Sequence, residues 1–146
     1  MPLILDALHI RNNQTIIDLG AGDGIVIFEA ATEAYRKKLN TQFYADEINP
    51  ILLAIMWIRR LFHPNRHNIH LIARDMFIMN FGQLPTRATD ITFYIYISPW
   101  FIEKTIHNIQ KQVPNFSLVS YYYQVKNLPH HREKKTEGIH KIYSYT

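Results

Sequence analysis

The chain has 146 residues, 47% of them apolar and 19% charged, enough for one packed core and too apolar for a disordered segment. It contains no cysteine, which excludes a disulfide framework, a thiolate zinc site and a cysteine nucleophile, and its formal charge of +4 gives only modest attraction to nucleic acid, anionic lipid or an acidic protein. The longest apolar run, 51–58, is far short of the ~20 residues of a membrane span, and the N-terminus lacks the basic region and cleavage site of a secretory signal, so a cytoplasmic, single-domain protein over 1–146 is expected.

Residues 14–19 are β-branched and apolar and run straight into Gly20, Gly22 and Gly24, a strand followed by a tight turn. Ile25, Phe28, Ala31 and Tyr35 recur at helical spacing, with Arg36, Lys37 and Lys38 where cations favour a helix C-terminus. A second strand, 41–45, ends in Asp46 and Glu47, and Asn49-Pro50 opens a second helix that runs to Phe62. A third strand, 68–73, closes on Arg74-Asp75. The most continuous β-type run, 90–97, suits a central strand buried on both faces. Ser98-Pro99 opens a third helix marked by Ile102, Ile106, Ile109 and Val113. A fifth strand over 116–125, a charged loop over 126–138 and a last strand over 139–145 at or near the sheet edge complete the chain. Strands alternating with helices imply right-handed crossovers, a mostly parallel sheet, and ligand binding at the carboxyl ends of the strands.

A glycine turn between the first strand and its helix lets backbone approach a ligand closely. It lacks the Gly-Lys-Ser/Thr ending of a nucleoside triphosphate loop, and Gly24 comes too early for the dinucleotide fingerprint, so the turn favours a nucleoside without a pyrophosphate. Asp46 and Glu47 are both candidates to hold a ribose diol, because a carboxylate accepts two hydroxyl protons. Asp75 and the Met76 N–H suit an adenine edge, and Asp18 suits an ammonium. Amine, ribose and adenine are provided for, and phosphate is not.

Residues 18–24, Asp-Leu-Gly-Ala-Gly-Asp-Gly, resemble the first motif of class I S-adenosylmethionine-dependent methyltransferases. Residues 44–50 resemble the acid-plus-helix motif of that class, with Glu47 in the ribose-binding place, and residues 74–77 its third motif. This run of motifs, with the closing 138–143, is similar to small protein-lysine methyltransferases of the ATP synthase c-subunit type. The resemblance covers residues 10–146, with only 1–11 available for the helix and lid that those enzymes carry ahead of the first strand. It implies a Rossmann-like α/β sheet, mostly parallel with an antiparallel C-terminal strand and helices on both faces. It also implies S-adenosylmethionine as cofactor, held by Asp18, Gly20, Ala21, Gly22, Asp46, Glu47, Asp75 and Met76, and a protein lysine as acceptor.

The end of the fourth strand lies beside the first and is expected to border the transferred methyl group. In-line displacement needs a neutral amine ~3 Å from the methyl carbon, so positioning supplies much of the catalysis. A lysine with a pKa of ~10.4 must first lose its proton, which a desolvating aromatic pocket favours. Tyr96 and Trp100 are the candidate walls, with Ser98 between them. Residues 98–100, Ser-Pro-Trp, also resemble, one proline short, the loop of methyltransferases that act on adenine or glutamine amino groups, which makes nucleic acid the alternative acceptor.

Competing readings attach to the same residues. Ser98 is expected chiefly to cap the third helix. His63, His67 and His70 lack a carboxylate at ligand spacing and read as a solvated loop rather than a metal site. The run 130–135, from His130 through His131 to Lys135, reads as solvated charge with a possible acidic or phosphate partner, and Tyr121, Tyr122 and Tyr123 as side chains alternating across a sheet. An NAD-dependent oxidoreductase and a cofactor-binding pseudoenzyme are the other function classes. Oligomeric state is unreadable.

Overall fold

The computed structural model describes residues 1–84, 89–130 and 132–146. Its elements are α1 (Pro2–Leu8), β1 (Thr15–Leu19), α2 (Ile25–Arg36), β2 (Gln42–Asp46), α3 (Pro50–Phe62), β3 (Ile69–Ile72), β4 (Ile91–Ile95), α4 (Pro99–Gln112), β5 (Ser117–Tyr121), β6 (Arg132–Glu137) and β7 (His140–Tyr145). The seven strands form one sheet in the order β3-β2-β1-β4-β5-β7-β6. β1 to β5 are parallel and β7 runs antiparallel to both β5 and β6.

β1 is the middle of the molecule. All five of its residues are buried, and it pairs residue for residue with β2 on one side and β4 on the other. The chain leaves β1 through β2 to β3 in one direction and resumes at β4 in the other. The carboxyl ends of β1 and β4 therefore flank the crevice where an open sheet binds its ligand. Ile4, Ile27, Ala31 and Met56, from α1, α2 and α3, bury one face together with Tyr94. Ile102, Ile106 and Ile109 of α4 cover the other, with Phe81, Phe93, Phe116 and Tyr145.

The glycine turn is fixed as much by packing as by any ligand. Gly24 caps α2 with φ +78°, and a Cβ there would lie 2.7 Å from Met56 Sδ and 2.9 Å from the Phe28 ring. Gly24→Ala is therefore expected to destabilise the protein by roughly 2 kcal/mol, from backbone strain plus displacement of the buried thioether, read from denaturant midpoints. An unchanged midpoint would mean that Met56 swings aside and the turn relaxes.

Four expectations are corrected. Residues 2–8 form a helix, with Pro2 at the first helical position and Ile4, Ala7 and Leu8 buried, so the short N-terminus does supply a packed element. The charged stretch is not all loop: Arg132–Glu137 pairs with β7 along its whole length and forms the sheet edge, moving β7 inside. Charged residues lie on both faces of β6, which hides a strand from hydrophobic periodicity while protecting an edge from pairing with other chains. β5 stops at Tyr121 because Tyr122 takes φ +71°, so the three tyrosines do not alternate across the sheet. Of the three histidines read as a solvated loop, His67 is exposed, while His63 and His70 are half-buried and engaged: His63 Nε2 lies 3.0 Å from Thr32 Oγ1, and His70 stacks on Tyr44 and bonds Gln42. Burial pushes both imidazoles below their usual pKa.

Candidate functional site

At the crevice, the turn after β1 is strapped to the end of β2 by its own amides. Gly20 N–H and Ala21 N–H both donate to the Asp46 carbonyl, at 3.0 and 2.8 Å, and Gly24 N–H donates to the Ala21 carbonyl at 2.9 Å. Gly22 N–H donates to Glu47 Oε2 at 2.9 Å, and Glu47 Oε1 accepts from Asn49 N–H at 2.9 Å. Asn49 Oδ1 in turn accepts from Ile51 N–H, capping α3. A single carboxylate thus latches the glycine turn to the start of the next helix. The position a Cβ would take at Gly22 meets nothing within 4 Å, so this part of the turn faces open space.

Those bonds decide which ligand chemistry the turn can serve. A phosphate-binding nest needs several free N–H groups aimed at one point. Here those of Gly20, Ala21, Gly22 and Gly24 go to protein acceptors, and Glu47 sets a negative charge where a pyrophosphate would lie.

The acids make the crevice attractive to a cation. Asp18 and Asp46 are buried, and Glu47 is half-buried. Burial, reinforced by Asp46 and then Glu47, pushes the Asp18 carboxyl up to about 8. Burial also pushes Asp46 up to about 7 against a hydrogen bond from Arg74 N–H, with Glu47 and Asp75 adding to the rise. The same field extends across the sheet: burial raises the Tyr94 phenol, with Asp18, Tyr121 and Tyr96 contributing. Tyr94, at the start of the segment expected to border the methyl group, is itself a buried core residue.

Asp75 is half-buried and its Oδ1 accepts from Phe77 N–H at 2.9 Å. The Met76 methyl reaches the glycine turn, 3.0 Å from where a Gly20 Cβ would be, and Ile97 lies on the same spot. This segment is held by residues of α4 that carry no sequence signal of function. Asn108 Nδ2 donates to the carbonyls of Met76 and Met79, and Gln112 Nε2 donates to that of Met79.

At the end of β4, Tyr96 is 57% exposed and packs edge-on to Tyr121 with centroids 4.9 Å apart. Tyr121 in turn meets His140 Nδ1 through its hydroxyl. Ser98 occupies the N-cap of α4 but its side chain makes no cap hydrogen bond, contrary to the capping role expected of it; the turn closes instead through Phe101 N–H on the Ser98 carbonyl. Trp100 projects from the first turn of α4 and is 88% exposed. Among the described residues no group of three metal-ligating side chains forms, and no helix is long and apolar enough to cross a membrane. Of the charged run at 130–135, His131 lies outside the described residues, His130 Nε2 bonds the Phe116 carbonyl, and Lys135 pairs with Asp6 of α1.

No protein-family model and no curated protein matches the chain. Solved structures do. An RNA methyltransferase from Salinibacter ruber in complex with S-adenosylhomocysteine superposes with a TM-score of 0.76 at 17% identity, over 99% of this chain and 87% of that one. TrmK from M. capricolum, also with S-adenosylhomocysteine, gives 0.69 at 14% identity over 99% and 67%. A precorrin-6y methyltransferase from Geobacter metallireducens gives 0.67 at 16% identity over 99% and 87%. The sheet order, the antiparallel C-terminal pair and these superpositions establish that the chain has the Rossmann-like fold of the class I methyltransferases.

Proposed function

We propose that this protein is an S-adenosylmethionine-dependent methyltransferase that transfers a methyl group to an amine, with a protein lysine as the acceptor. The observation that carries the reading is the latched glycine turn. Its amides are taken up by Asp46 and Glu47, while Gly22 leaves an opening beside an acid cluster, an arrangement suited to a cationic nucleoside without phosphates. The cofactors named in two of the superposed structures agree with it.

On this reading Glu47 holds the ribose diol, Asp75 and Met76 border the adenine, and Asp18 faces the ammonium of the methionine part. The cofactor supplies an electrophilic methyl group. The chain supplies position and desolvation. Tyr96 and Trp100, both exposed beyond the end of β4, are the rings an acceptor amine would lie against, and the water it sheds there on binding favours its neutral, nucleophilic form. The proton it loses leaves to solvent before transfer, so no covalent residue is needed. The lysine assignment rests on the sequence resemblance. A nucleic-acid amino group is the second reading, favoured by the uncapped Ser98 beside the exposed Trp100 ring and by the RNA methyltransferase among the superposed structures.

Calorimetric titration with S-adenosylhomocysteine, with NAD as control, tests the cofactor before any acceptor is assumed. Saturable binding of the former alone is expected. Binding of neither by folded protein would leave a sheet with a structural turn, and binding of NAD would return the oxidoreductase reading. Methyl-labelled cofactor incubated with separated cellular protein and RNA then decides the acceptor: label in lysine supports the first reading and label in RNA the second.

A further inference from the structure

α3 carries the largest exposed apolar stripe among the described helices. α4 turns Glu103, Lys104, His107 and Lys111 to solvent and exposes apolar rings only at its start, at Trp100 and Phe101, and α2 turns out Glu29 and Arg36 with single apolar residues, Ile25 and Tyr35, near its ends. α3 buries Met56 fully and exposes a stripe of Ile51, Ile55, Ile58 and Phe62, flanked by Trp57 and Leu61. Phe62 is 84% exposed, Ile51 71% and Trp57 52%. We infer that this face is the interface of a homodimer, in which α3 packs antiparallel on α3 of a second copy across a two-fold axis.

Spacing, area and charge all favour that occupant. The stripe steps by four, three and four residues, the seam spacing of a helix that packs along another helix. The six side chains, each between 39% and 84% exposed, put on the order of several hundred Å² of apolar surface on one helix, the scale at which an apolar patch marks an interaction surface. The helix carries no acid, and both of its cations are paired with groups of the same chain. Arg59 donates to the Asp23 carbonyl at 2.9 Å and pairs with its carboxylate. Arg60 donates to the Ile69 carbonyl at 2.6 Å and lies over the Trp57 ring. Nucleic acid or an anionic surface would call on those cations, whereas a second copy of the same stripe meets it without burying an unpaired charge. The antiparallel two-fold arrangement sets Ile55 against Ile58 and Ile51 against Phe62 of the second copy, with Ile55 and Ile58 flanking the axis.

Sedimentation equilibrium of the full chain at micromolar concentration reads the result. A species of twice the 17.3 kDa chain mass is expected. Ile58→Glu and Ile58→Lys, both on the exposed face and checked for fold by circular dichroism, are each expected to weaken self-association at least 100-fold. Mixing the two variants is expected to restore a dimer, because the position-58 side chains of the two copies flank the axis and an extended Glu and Lys there reach one another. A wild-type chain that stays at single mass at every concentration would overturn the inference. So would a dimer that the Ile58 variants leave intact, or a monomer that instead sediments with phosphatidylcholine vesicles.

Discussion

Glu47→Ala is expected to weaken S-adenosylhomocysteine binding by about 100-fold or more, with the fold retained. Two effects add. On the proposed function the carboxylate gives two charge-assisted hydrogen bonds to the ribose, each worth ~1.5–3 kcal/mol. The same group also latches Gly22 N–H and Asn49 N–H, so its loss frees the turn and the start of α3, and binding must then order both again. Glu47→Gln separates the effects. An amide has one oxygen and cannot accept from both backbone N–H groups, so it keeps one latch at the cost of the other; a loss of about 10-fold is expected. Calorimetry on the three proteins checks this. Unchanged affinity in folded Glu47→Ala protein would remove Glu47 from the ribose and direct attention to Asp46, whose carboxyl is buried and bonded to Arg74 N–H.

Glu47 stands out in sequence by its place after a β strand and before Asn49-Pro50; that its carboxylate fastens two backbone amides does not. Local patterns reach only as far as the bonds they imply. β1, α2, β2, α3, β4 and α4 announce themselves because each has a period or a cap in its own residues. α1 has fewer than two turns, and its buried Ile4, Ala7 and Leu8 acquire meaning only against the sheet and α2. β6 has charged residues on both faces and is a strand solely because β7 lies beside it. The left-handed Tyr122 has no glycine or asparagine to betray it, and so 116–125 reads as one longer β5.

The crevice shows the same division. Each acid at a strand end is visible in sequence, and parallel strands of equal register bring such ends together. Their mutual effect is a property of the assembled sheet. Asp18 and Asp46 lie on adjacent strands, and burial together with the neighbouring acids raises both carboxyls. Asn108 and Gln112, two helical turns and more into α4, hold the Met76–Met79 segment through side-chain amides, and nothing in the spacing of α4 separates them from ordinary surface polar residues.

Raised carboxyl pKa values give the second large prediction, a ligand-free protein that loses stability as pH rises. Asp18 and Asp46 hold their protons to about 8 and about 7 in the folded chain, against 3.8 for the ordinary group. Between those limits the native state binds more protons than the unfolded one, so unfolding releases protons and stability falls as pH rises. Their contribution is whole below about 4 and is lost as pH passes through about 7 to 8. Asp18→Asn keeps the shape and removes the buried charge. It is expected to stabilise the ligand-free protein at pH 8.5 by on the order of 3 kcal/mol relative to wild type, and to flatten the fall between pH 6 and pH 9. A cationic ligand should reverse the sign: an ammonium beside Asp18 stabilises the ionised carboxylate, so binding releases a proton and wild-type affinity rises over the same range, while the Asn variant binds weakly at every pH. Thermal melts across pH 5–9, with titrations in two buffers of different ionisation enthalpy, measure both effects. A wild-type melting temperature that is flat or rising from pH 6 to pH 9, or ligand binding without proton release, would show that the Asp18 carboxylate is already ionised in the empty crevice and that its burial is offset by solvent.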